Sequence, residues 1–155
     1  MAKKNENILT EGFLAELYNS AIINDYMCSV VTQYMQDVFL PSREYQTLND
    51  ALKKYFKEYK MAPKYGMIEQ ICATSRATSE LIDEVKNLAT DVEPASLRDQ
   101  FEKYLKLVQF KKIYKEIGKK FDDGEGLEAI ASFEREANKL SAFSLAPDQF
   151  IDVKL

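Results

Sequence analysis

No proline or glycine interrupts the sequence between Pro94 and Gly118, and the apolar residues along that stretch recur at helical spacing. Pro94 itself is tolerated in a first helical turn. The spacing therefore predicts one helix of about 26 residues, about 39 Å long at 1.5 Å per residue. That is more than a small helical bundle can cover. Two apolar stripes run along it: Leu97, Phe101, Leu105 and Val108, then Phe110, Ile113, Tyr114, Ile117 and Phe121, displaced around the axis. Asp122-Asp123-Gly124-Glu125-Gly126 reads as a turn, with Gly124 as the helix C-cap. Leu127, Ile130, Phe133, Ala137 and Leu140 then mark a returning helix. Residues 94–141 form an αα-hairpin on this reading. Its first stripe suits packing on the rest of the chain. The second stripe and the returning helix call for another partner, expected to be another protein subunit. The alternative is a tightly folded seven-helix monomer.

Upstream, residues 11–90 read as a compact bundle of about five short helices, preceded by a flexible stretch at 1–10. Thr10, Asn24 and Ser42 stand where N-caps are wanted, and Pro41 and Pro63 stop the helices before them. Phe13, Leu14, Leu17 and Ala21 mark the first helix; Met27, Val30, Val31, Tyr34, Met35 and Val38 the second. Tyr45, Leu48, Leu52, Tyr55, Phe56 and Tyr59 form the stripe of the third. Met67, Ile68, Ile71 and Cys72 serve the fourth, and Leu81, Ile82, Val85 and Leu88 the fifth. Short helices are marginal in water alone, so these five must pack together. The expected fold class is all-α. Residues 142–155 are expected to open a linker to a C-terminal domain missing from this chain, because Ile151, Val153 and Leu155 alternate as a strand would.

Composition narrows the chemistry. The 155 residues are 46% hydrophobic and 30% charged, as in one folded domain. There is no histidine, which removes Ser/His and Cys/His nucleophile pairs and the commonest metal ligand. Cys28 and Cys72 are too few for a four-thiolate zinc site and sit on apolar faces, as reduced core thiols do. No membrane span or signal peptide is recognisable, so a cytoplasmic location is expected. Gly124 to Ala129 matches G-x-G-x-x-A, but a helix precedes it where a dinucleotide site needs a strand. The acidic residues Asp122, Asp123, Glu125 and Glu128 lack the order of an EF-hand loop. No G-x-x-x-x-G-K-[ST] is present. An enzyme in its own right is not expected, nor a cofactor.

The long helix is basic. From Arg98 to Lys120 eight cations stand against three carboxylates, giving +5 and leaving −9 for the rest of a chain whose net charge is −4. Lys103, Lys106, Lys111, Lys112, Lys115, Lys119 and Lys120 are candidate phosphate contacts, with Tyr104, Phe110 and Tyr114 nearby. A solvated lysine face that keeps an extended hairpin soluble is the plainer alternative. Complementary charge toward acidic patches on neighbouring subunits is a third.

The order of these features resembles a known family. Phe13-Leu14 and Tyr34-Met35 lie on small helices, and a Tyr45/Leu48 helix ends in Tyr59-Lys60-Met61-Ala62-Pro63. Met67-Ile68 follows, then the long helix and a returning one that closes on Leu140-Ser141-Ala142-Phe143. From Leu9 to Phe150 this resembles the N-terminal domain of DnaB-type replicative DNA helicases, in the divergent form of T4-type phages. The chain departs from that pattern at Pro63-Lys64, where the family often has Pro-Thr. The resemblance implies a non-catalytic collar domain that assembles a hexameric ring by hairpin pairing and docks primase and helicase loader. ATP, magnesium and DNA translocation would belong to a motor domain absent here, so DNA would be met only through the full-length ring. By position, the pairing contacts would fall on Phe110, Ile113, Tyr114, Ile117 and Phe121, with Leu127, Ile130 and Phe133 across the turn. Two other functions remain open: a free-standing nucleic-acid-binding protein using the Lys-rich helix 98–120, and a cytosolic adaptor that captures a partner helix.

Overall fold

A computed structural model describes residues 9–146. Among them the chain is all-α: α1 (Glu11–Ile23), α2 (Asp25–Tyr34), α3 (Arg43–Tyr59), α4 (Lys64–Ile71), α5 (Arg76–Leu88), α6 (Pro94–Asp122) and α7 (Gly126–Ala142). One 3₁₀ turn, Asp37–Phe39, lies between α2 and α3. The alternating segment at 151–155 and residues 1–8 of the stretch 1–10 expected to be flexible lie outside the described residues, whereas Leu9 is buried and Thr10 caps α1. Two compact units divide the chain between Arg98 and Asp99, early in α6.

The first unit is built on caps and a buried central helix. Thr10, Asn24, Ser42 and Ser75 each accept the backbone N–H three residues on, satisfying a donor that a helix start leaves unpaired. Asn24 ends α1 and starts α2, so the two helices meet at one residue. In α1 every residue from Leu14 to Ile22 is buried except Glu16, which is half-buried. The expected single stripe is therefore too narrow: α1 contacts α2, α4 and α5 and is covered on nearly all sides. Leu48 and Leu52 of α3, Ile68 of α4, and Ile82 and Val85 of α5 complete the core with no exposed surface.

Polar links close the loops. The carboxylate of Glu16 accepts from both the N–H and the hydroxyl of Thr90 at 2.6 Å. Asp25 Oδ1 accepts the N–H of Ala62 at 2.9 Å, and Lys64 Nζ donates to the Ile23 carbonyl at 2.6 Å. Both contacts tie the α3–α4 corner to the α1–α2 corner. That corner turns through Lys60 and Lys64, which take positive φ of 58° and 66°. The α3 stripe leaves the core as it approaches this corner: Tyr45 is buried, Tyr55 half-buried and Tyr59 exposed.

The second unit is the hairpin. α6 runs through Gly118 to Asp122 and is 29 residues long. Its end is a Schellman motif: Glu125 N–H donates to the Lys120 carbonyl at 2.8 Å and Gly124 N–H to Phe121 at 3.1 Å. Gly124 takes φ 80°, the left-handed conformation the motif requires. Phe101, Leu105 and Ile113 of α6 are buried, as are Ala129 and Ser132 of α7. After α7 the chain stays with this unit. Phe143 and Leu145 are buried, and the Leu145 N–H donates to Glu102 at 2.7 Å. Residues 143–145 are thus held in the fold, where a linker was expected from 142.

Candidate interaction surfaces

The hairpin sorts its apolar side chains by helical angle. On α6, Phe110, Tyr114 and Phe121 are 47%, 73% and 57% exposed, with half-buried Ile117 between them at i, i+4, i+7, i+11. Ile113 lies on the inner edge of that group and is 4% exposed. It belongs to the core of its own unit and leaves the set of surface candidates. On α7, Leu127, Ile130 and Phe133 are exposed, while Ala129 and Ser132 turn inward. Six of the eight residues singled out in the sequence therefore stand open on the hairpin. At its tip Phe121, Gly126, Leu127 and Ile130 line an open depression of about 660 Å³.

Aromatic rings held against water on a hairpin this size mark a surface that gains by being covered. Burying a large apolar side chain is worth about 1.5–3 kcal/mol. The interior of the unit cannot take them, because small residues, Ala129 and Ser132, occupy the inward positions of α7.

The lysines divide in two. Lys106 pairs with Glu102 at 3.7 Å and Lys120 with Glu128 at 3.6 Å, so these two are engaged within the unit. Lys103, Lys111, Lys112, Lys115 and Lys119 are exposed, and none of them pairs with a carboxylate among the described residues. Lys112, Lys115 and Lys119 follow one another at i, i+3, i+7, roughly half a turn round the helix from the exposed aromatic stripe. One helix thus presents an apolar face and a basic face.

Cys28 and Cys72 are free thiols in the core. Burial, with the charge of Asp25 adding to it, pushes the Cys28 thiol up to about 12, and burial raises Cys72 as well. Neither forms thiolate readily. Among the described residues no group of three His, Cys, Asp or Glu side chains is placed to hold a metal ion, and no helix is long and apolar enough to cross a membrane.

A second apolar groove lies in the first unit. Tyr55 and Tyr59 of α3, their rings 4.6 Å apart, line it with Met67 and Ile71 of α4. The sequence placed these four on core stripes. They lie in the last turns of α3 and along α4, where a stripe continues past the partner that covers it.

No family model matches this sequence, and no curated protein or solved structure matches it either.

Proposed function

We propose that this chain is a non-catalytic assembly and docking domain that pairs through its α6–α7 hairpin. The observation that carries the reading is the exposed row Phe110, Tyr114, Phe121, Leu127, Ile130 and Phe133 on one folded hairpin. An isologous contact between two such hairpins would cover the row on both copies at once. The resemblance to DnaB-type N-terminal domains supplies the context. The hairpins would assemble a cytoplasmic replicative helicase ring, and the domain would dock primase or loader, while ATP, magnesium and DNA engage a motor domain. Further ring contacts would bring the pairs to a hexamer.

Light scattering of the purified chain over about two decades of concentration tests it. The expected result is a dimer or hexamer that dissociates on dilution. Phe133→Asp would appear twice in a two-fold interface, so it should weaken pairing at least about 100-fold. Helical content should be unchanged, because Phe133 is already half in water. Parent and variant both monomeric throughout, or both associating equally, would overturn the hairpin interface.

The unpaired lysines favour one second reading, direct nucleic-acid binding through Lys111, Lys112, Lys115 and Lys119. It predicts affinity for a labelled oligonucleotide that falls steeply as salt rises from about 50 to 200 mM. No binding at the lower salt removes it.

A further inference from the structure

The exposed row on α6 is longer than its aromatic part. Lys103, Leu107, Phe110, Tyr114, Ile117 and Phe121 recur at i, i+4, i+7, i+11, i+14 and i+18. That alternation of four and three keeps one seam turned toward a partner helix. Lys103, Phe110, Tyr114 and Phe121 are exposed, and Leu107 and Ile117 half-buried. Ile113 is buried to one side, so the packing of the unit itself leaves the seam uncovered. At the tip Leu127 and Ile130 of α7 extend it, since they line one depression with Phe121.

Charge runs along the seam in one direction. The tip, residues 122–128, carries four carboxylates and no cation: Asp122, Asp123, Glu125 and Glu128. Glu128 is engaged by Lys120 at 3.6 Å and Arg135 at 4.0 Å. Glu125 and Glu128 also stand at the start of α7, where the helix dipole favours acids. Asp122 and Asp123 have neither support. Asp122 ends α6 and Asp123 follows it, where the dipole favours cations. Both are exposed and form no ion pair among the described residues. Lys103, the charged member of the seam, stands at its other end and is likewise unpaired.

The spacing of the seam reads the same in both directions. Laid antiparallel on a second copy, Phe110 falls opposite Tyr114, Leu107 opposite Ile117, and Lys103 opposite Phe121. The stem of each Lys103 then lies along the Phe121 ring of the other copy, with its ammonium toward Asp122 and Asp123. Laid parallel, with the tips together, the same seam sets Lys103 against Lys103 and one acidic tip against the other. Those like charges repel.

We propose that two copies of the chain pair antiparallel along this seam, with Lys103 of each held by Asp122 and Asp123 of the other. The inference rests on the hairpin pairing proposed above and adds its orientation and the residues that set it. Apolar burial supplies the affinity, and the end contacts decide which way round the copies meet.

The test uses the full-length chain as Lys103→Glu, as Asp122→Lys/Asp123→Lys, and as an equimolar mixture of the two. Sedimentation equilibrium at about 50 and 500 mM salt gives the dissociation constants. All three positions are exposed, so far-UV circular dichroism should match the parent. Each variant alone sets like charges at both ends of the pair and should dissociate about tenfold more readily at low salt. Mixed, the two form a heterodimer whose ends both attract, and affinity should return to that of the parent. At the higher salt the differences should vanish. A nitroxide on Glu125→Cys reports orientation: antiparallel pairing holds the two labels more than about 30 Å apart, whereas tips-together pairing brings them within about 20 Å. Labels at the shorter separation overturn the proposal while leaving hairpin pairing in place. So do variants that pair as the parent does at low salt, or a mixture no tighter than its components. A parent monomeric at every concentration overturns hairpin pairing itself, and this orientation with it.

Discussion

Asn49 sits beside Leu48 in α3, outside the apolar stripe of that helix. In the fold it is fully buried and accepts the Tyr18 hydroxyl at 2.9 Å while donating to Asp37 at 3.1 Å. That link joins positions 31 apart in the chain, a pairing no local pattern reveals. Asn49→Leu keeps the volume but leaves the Tyr18 hydroxyl buried without an acceptor, so it should cost about 1–3 kcal/mol. Adding Tyr18→Phe should recover most of that loss, which urea unfolding of the two variants will show. A double variant no more stable than the single one would mean that packing, not the hydrogen bond, sets the cost. The core thiols were legible, because Cys28 and Cys72 fall on apolar positions at helical spacing. With Cys28 pushed up to about 12 and Cys72 raised too, native protein at pH 8 should resist iodoacetamide, with both sites reacting once urea unfolds the chain. Rapid labelling of the native form would place these thiols outside the core.

The helices were largely readable because their boundaries are local chemistry. Thr10, Asn24 and Ser42 cap where expected, and Pro94 opens α6. Burial around each helix was less readable. The apolar stripe of α1 underestimates a helix covered on nearly all sides, and the stripe of α3 overestimates one whose last turn is exposed. Coverage depends on which neighbours arrive, and periodicity does not encode that. Two glycines of the hairpin separate local from tertiary effects. Gly118 lies inside α6, and a Cβ there would meet nothing within 4 Å. Gly118→Ala should therefore raise stability by about 0.5–1 kcal/mol through helix propensity. Gly124 is equally open but holds φ 80°, so Gly124→Ala should lower stability by about 1 kcal/mol from backbone strain. Thermal unfolding should shift in opposite directions. The same sign for both would mean that α6 ends differently in solution.

The two units divide the molecule's apolar side chains unequally. Among the described residues the first unit holds most of the buried apolar side chains and exposes eight large ones over residues 9–98, while the second buries few and exposes six over the shorter stretch 99–146. The hairpin surface was legible because its apolar positions outnumbered those an isolated pair of helices can bury. The groove of Tyr55, Tyr59, Met67 and Ile71 was not, since all four fall on stripes that read as core. If pairing covers the hairpin, its stability must depend on protein concentration, whereas that of the first unit need not. A partner binding only the folded hairpin stabilises it by RT ln(1 + [L]/Kd), about 2.7 kcal/mol at a hundred times Kd. Hydrogen exchange of amides in residues 110–140 should then slow by up to about 100-fold between dilute and concentrated protein, provided they exchange by opening of the hairpin alone. Amides of α1, α2 and α3 should keep their rates. Phe133→Asp should abolish the concentration dependence in the hairpin without touching the bundle. Equal slowing in both units would mean that pairing stabilises the chain as one cooperative whole. No slowing anywhere would mean that the exposed row is not covered by another copy.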